Sequence, residues 1–190
     1  MKPELGIKLL TAAYILVLPG MFILPFFNVP GYSIIGNTLS ELGAQSAPHA
    51  WIMNFMFIVL ALGSVLAGWR YFEGFIFHRI VLAFFGISLM LMAFFNHAPI
   101  RPDIQYNLTE EALHAYFSCT AGLSFVILSI TTGFILDKQQ DRLLALAAGT
   151  AFLLLSVLMS EADRSAGIWQ RLMFILSFGW MIYNFKTREL

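Results

Sequence analysis

The chain has 190 residues, of which 59% are hydrophobic and only 12% are charged. A surface this poor in charge cannot hold a domain of such size in water, so a bilayer is the expected solvent. Eleven basic residues balance eleven acidic ones, which leaves no basic field for nucleic acid, and the one cysteine, Cys119, excludes an internal disulfide framework.

Roughly twenty apolar residues cross a hydrocarbon core. Six stretches approach that length, at about 9–27, 51–68, 80–95, 112–136, 143–160 and 168–185. No small-residue cleavage motif follows the first, so it is read as a span that stays rather than a signal peptide. No Lys, Arg, Asp or Glu lies near the middle of any stretch. That argues against a proton pump or an ion-coupled carrier with a buried charge. Backbone groups in lipid must be satisfied within their own segment, and the ten-residue alternation of a closed barrel is missing. The predicted fold is all-α, a single domain over 1–190 built as a polytopic bundle of six transmembrane helices.

Basic residues set the orientation. Lys2, Lys8, Arg70, Arg79, Lys138, Arg142, Lys186 and Arg188 fall on one side, against Arg101, Arg164 and Arg171 on the other. The first side is expected to be cytoplasmic, with both termini there, and the location to be the cell's inner membrane. The cytoplasmic connections are short, whereas residues 28–50 and 96–111 form long outer ones, with a shorter third at 161–167. Long loops in a small protein are where function tends to sit. Ser40 to Gly43 is predicted to form a helical turn at the interface.

The candidate chemistry gathers on that outer side. Glu41, at the approach to the second span, loses solvation there and should seek a donor or a cation. It could act as an acid or base, or serve as a loop residue paired with Arg101 or Arg164. His114 begins the fourth span, with Glu110 one turn before it, a spacing at which a carboxylate can orient an imidazole. His97 ends the third span and can approach His114 across the loop. Two histidines with Glu41 or Asp103 would offer ligands for zinc, but no close-spaced histidine motif supports one, and no metal is assigned. Arg171 lies inside the last apolar run beside Gln170. Its guanidinium can bind lipid phosphate, reach the headgroups, or pair with Glu41. Ser40 near a histidine suggests a nucleophile, but no Gly-x-Ser-x-Gly elbow is present and a capping role competes. His114 and Glu41 are therefore the catalytic candidates. Arg171, Gln170, Ser40, Asp103, Arg164 and His97 are the binding candidates. Walker, dinucleotide and haem motifs are absent, so the cofactor is left unknown.

Pro30, Gly31, Tyr32 and Ser33, followed by the run from Thr38 to Ala44 (Thr-Leu-Ser-Glu-Leu-Gly-Ala) and Pro48, resemble the signature of a bacterial and archaeal membrane family called domain of unknown function 998. His114 is similar to that family's central histidine. Gly167, Gln170 and Arg171 resemble its Gly-x-x-Gln-Arg element before the last helix. Where the family reads a Phe-Pro-x-Asp type stretch after the third helix, this chain has Phe95, Asn96, His97, Ala98 and Pro99, with Asp103 beyond. The Ser-Glu-Leu-Gly block and the His114 helix are also similar to six-span DRAM and FRAG type proteins of eukaryotes, a resemblance that implies a link to lipids. Three readings follow: an outer-face enzyme acting on lipid headgroups, a non-enzymatic binder or carrier of lipids or small amphiphiles, and a structural protein in which Glu41 and Arg171 form a buried ion pair. Membrane lipids are the expected partners in the first two. Oligomeric state is not legible.

Overall fold

The structure is a computed structural model and describes residues 3–187. Lys2 and Arg188, used above for orientation, and the side chain of Asp163 lie outside what it describes. Six long helices carry the fold: α1 (Pro3–Ile23), α3 (Ala50–Tyr71), α4 (Ile76–Phe94), α5 (Leu108–Ile135), α6 (Gln139–Glu161) and α7 (Ala166–Thr187). The short α2 (Leu39–Leu42) sits in the first long connection, and 3-10 turns cover Leu24–Phe27 and Asp163–Ser165. No strand occurs among the described residues.

Five of the long helices, all but α7, are long and apolar enough to cross a membrane. The helix at α1 runs through Pro19 and tightens into a 3-10 turn at Pro25, where the missing amide ends the α-helical ladder. Neighbours in sequence are neighbours in space, and α7 closes the ring by packing on α1 as well as on α6. The core is aromatic at its centre. Phe57 of α3 meets Phe174 of α7, Phe85 of α4 meets Phe178 of α7, and Phe125 of α5 meets Trp180 of α7, with ring centres 5.4, 6.1 and 5.8 Å apart. Such tilted and edge-on contacts suit the ring quadrupoles.

The helix at α7 therefore touches α1, α3, α4, α5 and α6. It buries Arg171, Ser177 and Asn184 against its neighbours, and these residues lower its hydropathy. The helix at α6 is the opposite case. Only Ala145 and Gly149 are buried along it, and Leu143, Leu153, Leu154 and Val157 stand exposed on its outer face. One end of the bundle carries the short turns at 72–75 and 136–138, and the other carries the long connections.

Candidate functional site

At the loop-rich end two groups of polar side chains hold the connections onto the helices. The first is built by the start of α7. A helix N-terminus leaves its first amides without partners. Here the Gly167 and Ile168 amides donate to the carbonyls of Gly36 and Ile35, at 3.2 and 3.1 Å. One turn on, Gln170 Oε1 accepts from the Leu39 amide at 2.5 Å and from the Ser40 amide at 3.4 Å, taking up the free amides at the start of α2.

Arg171 lies beneath, 3% exposed. Its Nε donates to the Met21 carbonyl at 3.2 Å. Its Nη1 donates to the carbonyls of Ile34, Asn37 and Gly167 at 2.8–2.9 Å, and its Nη2 to the Tyr32 hydroxyl at 2.8 Å. The guanidinium also lies 5.9 Å from the centre of the Tyr32 ring. Tyr32 in turn donates towards the Thr38 carbonyl at 2.8 Å, which fixes its hydroxyl as the acceptor for Arg171. Burial pushes the Tyr32 phenol up to about 12, against the pull of Arg171 in the other direction. Gly167 makes this approach possible: a Cβ there would stand 2.2 Å from the Asn37 oxygen and 2.6 Å from that of Ile34.

Glu41 is the fourth residue of a capping box. Thr38 is the N-cap of α2; its hydroxyl accepts from the Glu41 amide, and the Glu41 carboxylate accepts from the Thr38 amide at 2.5 Å. The other carboxylate oxygen accepts from Asn37 Nδ2 at 2.8 Å. Among the described residues no ion pair joins Glu41 to Arg171, Arg101 or Arg164. Asn37 stands between the two instead, its amide group on Glu41 and its carbonyl on Arg171. The buried ion pair of the structural reading, one of the three allowed by sequence, is replaced by this bridge because loop carbonyls and amides, which also need partners, lie closer to hand.

The second group forms around the end of α4. His114 is 4% exposed, and its Nδ1 lies 2.8 Å from the Met92 carbonyl and 2.7 Å from that of Phe95. Both are acceptors, so Nδ1 carries a proton, and in the neutral ring Nε2 holds the lone pair. The imidazole is oriented by these carbonyls and not by Glu110, whose carboxylate accepts from the Asn96 amide at 2.9 Å. Orphaned carbonyls at the C-terminus of α4 account for the preference. His97 lies edge-on to His114, with ring centres 5.2 Å apart. Its Nδ1 faces the Ala98 carbonyl at 2.9 Å, and its Nε2 is 3.8 Å from Glu111 Oε1. The other oxygen of Glu111 accepts from the Ala98 amide.

Amides join the two groups. Gln45 exchanges hydrogen bonds with Asn107 and donates to the Asn96 carbonyl, while its own amide donates to the His97 carbonyl at 2.9 Å. Asn54 donates to the Gly43 carbonyl at 3.2 Å and to Asn96 Oδ1 at 2.8 Å. A Cβ on Gly43 would collide with Asn54 at 2.1 Å, which ties the Ser-Glu-Leu-Gly run to α3. Tyr32, Asn37, Gln45, Asn54 and Glu111 are not among the candidates from sequence, and Tyr32 enters there only through the family resemblance. A signal for Asn54 was present: it is the one amide in the apolar run of α3.

Two candidates lie apart. Asp103 pairs with Arg101 at 2.6 Å on an exposed loop, and that guanidinium holds its carboxyl below the usual carboxylate range. Arg164 is exposed in the turn before α7. A recess of about 10 Å³ between the loops is lined by Val29, Gln45, Ala47, Pro99 and Arg101 among others, and none of Glu41, His114 and Arg171 reaches it. Among the described residues no three His, Cys, Asp or Glu side chains are placed to share a metal ion.

An all-helical bundle with five helices able to span a bilayer, and a hydrogen-bonded cap at one end, is the architecture of a multi-pass membrane protein. Residues 11–183 match the family described as protein of unknown function (DUF998), and the chain belongs to that family. No curated protein and no solved structure matches it.

Proposed function

We propose that the chain is a six-span protein of the cell's inner membrane with both termini in the cytoplasm, and that its loop-rich end is a preassembled outer cap that binds a lipid headgroup or small amphiphile without turning it over. The observation that carries this reading is the use made of Arg171. Its N–H groups are committed to four backbone carbonyls and a phenol. Only one Nη2 N–H is left over, so a guanidinium so engaged builds the cap and cannot grip a lipid phosphate in two-pronged fashion without releasing the loop. Glu41 and Gln170 are committed in the same way. What remains for recognition is the His114 Nε2 lone pair, with His97 and Glu111 beside it. The His114 lone pair and the Glu111 oxygen not bonded to Ala98 offer a small polar group acceptors at the depth where headgroups meet hydrocarbon.

The same lone pair supports a second reading, in which His114 is a general base acting on a headgroup ester. His114→Asn separates the two, because the amide nitrogen keeps a donor where Nδ1 stands and removes the titrating Nε2. In the binding reading the variant stays folded and loses amphiphile affinity, and wild type releases no headgroup from lipid vesicles. Headgroup release by wild type that vanishes in His114→Asn would overturn it.

A further inference from the structure

The opposite end of the bundle holds a second fixed guanidinium, and its circumstances differ. Arg79, in the first turn of α4, donates from Nε to the Trp69 carbonyl at 2.8 Å, and its guanidinium lies 5.3 Å from the centre of the Trp69 ring. The carbonyl belongs to the last turn of α3, where such groups lack helical partners. One nitrogen is thus used for anchoring. Neither Nη group has a protein partner among the described residues, so the two-pronged edge that matches a phosphate is held in place and left open. Arg70 follows Trp69 directly and is exposed. The acid nearest in sequence, Glu73, makes no ion pair with either arginine among the described residues.

Apolar surface starts at this point. Along α4, Ile80, Phe84 and Ile87 are exposed at helical spacing, and on α3 so are Leu62 and Trp69 itself. Each row begins within one residue of the arginine–tryptophan pair and runs towards the middle of its span. A ligand with a phosphate at one end and hydrocarbon chains at the other meets both features at once. We propose that Arg79, held by Trp69 and joined by Arg70, is a binding site for the headgroup phosphate of an anionic phospholipid, whose chains lie on the exposed faces of α3 and α4. The net charge of the two arginines favours an anionic lipid over a zwitterionic one. The inference depends on the bundle lying in a bilayer and is independent of the cap, which is at the other end.

The test is lipid titration of the purified protein in detergent, read by native mass spectrometry, with phosphatidylglycerol against phosphatidylcholine. Wild type should retain phosphatidylglycerol preferentially. Arg79→Ala should weaken its binding by about fivefold or more, the effect of one surface cation on an anionic lipid. Arg79→Lys should fall between, since it keeps the charge and loses the fork. Lys138→Ala, which removes a charge at the same end, should bind as wild type does. Equal binding by Arg79→Ala and wild type overturns the site, and so does an equal loss in Lys138→Ala, which would mean diffuse charge alone. Should Arg79→Ala not elute as a single species, Arg79→Lys and Trp69→Leu carry the test. Both must bind less, and unchanged binding in either overturns the proposal. Failure of any of these leaves the reading of the cap untouched.

Discussion

Arg171 shows how a cation can be buried without a carboxylate. Ion-pairing two buried groups recovers their desolvation only in good geometry, whereas carbonyl oxygens that already need donors supply acceptors at no added desolvation of a second charge. Removing the guanidinium strands those carbonyls. Arg171→Met is expected to cost roughly 3 kcal/mol or more, read as a lower melting temperature in detergent. Arg171→Lys should recover little of this, because a compact ammonium cannot reach acceptors spread from Met21 to Tyr32. Tyr32 adds a pH dependence. Its folded value of about 12 lies above the ordinary 10, so the stability it brings is complete below pH 10 and is lost as pH rises through 12. The melting-temperature gap between wild type and Tyr32→Phe should close across that window, since subtracting the variant removes the other tyrosines. A gap that stays constant from pH 9 to pH 12 would contradict the assignment.

At the scale of elements, the register between α7 and the first long connection is set by backbone contact at Gly167. The oxygens facing it belong to main chain and cannot rotate away. Gly167→Ala should therefore shift the start of α7, lower stability by about 1–3 kcal/mol, and open residues 30–40 to limited proteolysis. Gly133→Ala is the matched control, because its nearest neighbours stand at 3.5 Å and include a flexible leucine end. Unchanged proteolysis in Gly167→Ala would show that the cap is held by other means. The helices themselves are legible from their apolar runs, since length and periodicity are properties of the sequence, and the helical turn expected at 40–43 forms one residue earlier, at Leu39–Leu42. The wiring of the cap is not legible. Glu41 and Arg171 carry charges that need partners wherever they are buried. Their partners are chiefly main-chain groups, and main-chain amides and carbonyls look the same at every position of a sequence. His114 was singled out for its chemistry, yet its Nδ1 is used to close the end of α4, a need visible only once that helix is seen to stop at Phe94.

For the whole molecule the open quantity is the number of crossings, and it turns on α7. Taken alone, this helix lacks the sustained apolar stretch that the other five have, because Gln170, Arg171, Ser177 and Asn184 interrupt it. Hydropathy treats a helix as if all its faces met lipid. In the bundle, Arg171, Ser177 and Asn184 are each under 5% exposed, while the residues turned outward include Leu172, Leu176 and Tyr183. A helix whose polar groups are buried against neighbours presents a hydrocarbon surface whatever its average composition. At 22 residues it is also long enough to cross. An even number of crossings puts both termini on one side and an odd number separates them, so accessibility decides the matter. In a Cys119→Ser background, a membrane-impermeant thiol reagent applied to intact cells should label Asp103→Cys, on the loop between α4 and α5 that the proposed orientation puts outside. It should label Lys186→Cys only after the membrane is permeabilised. Labelling of Lys186→Cys in intact cells, alongside Asp103→Cys, would leave α7 lying on the outer face. In that case the buried contacts of Arg171 would have to form without a bilayer around them.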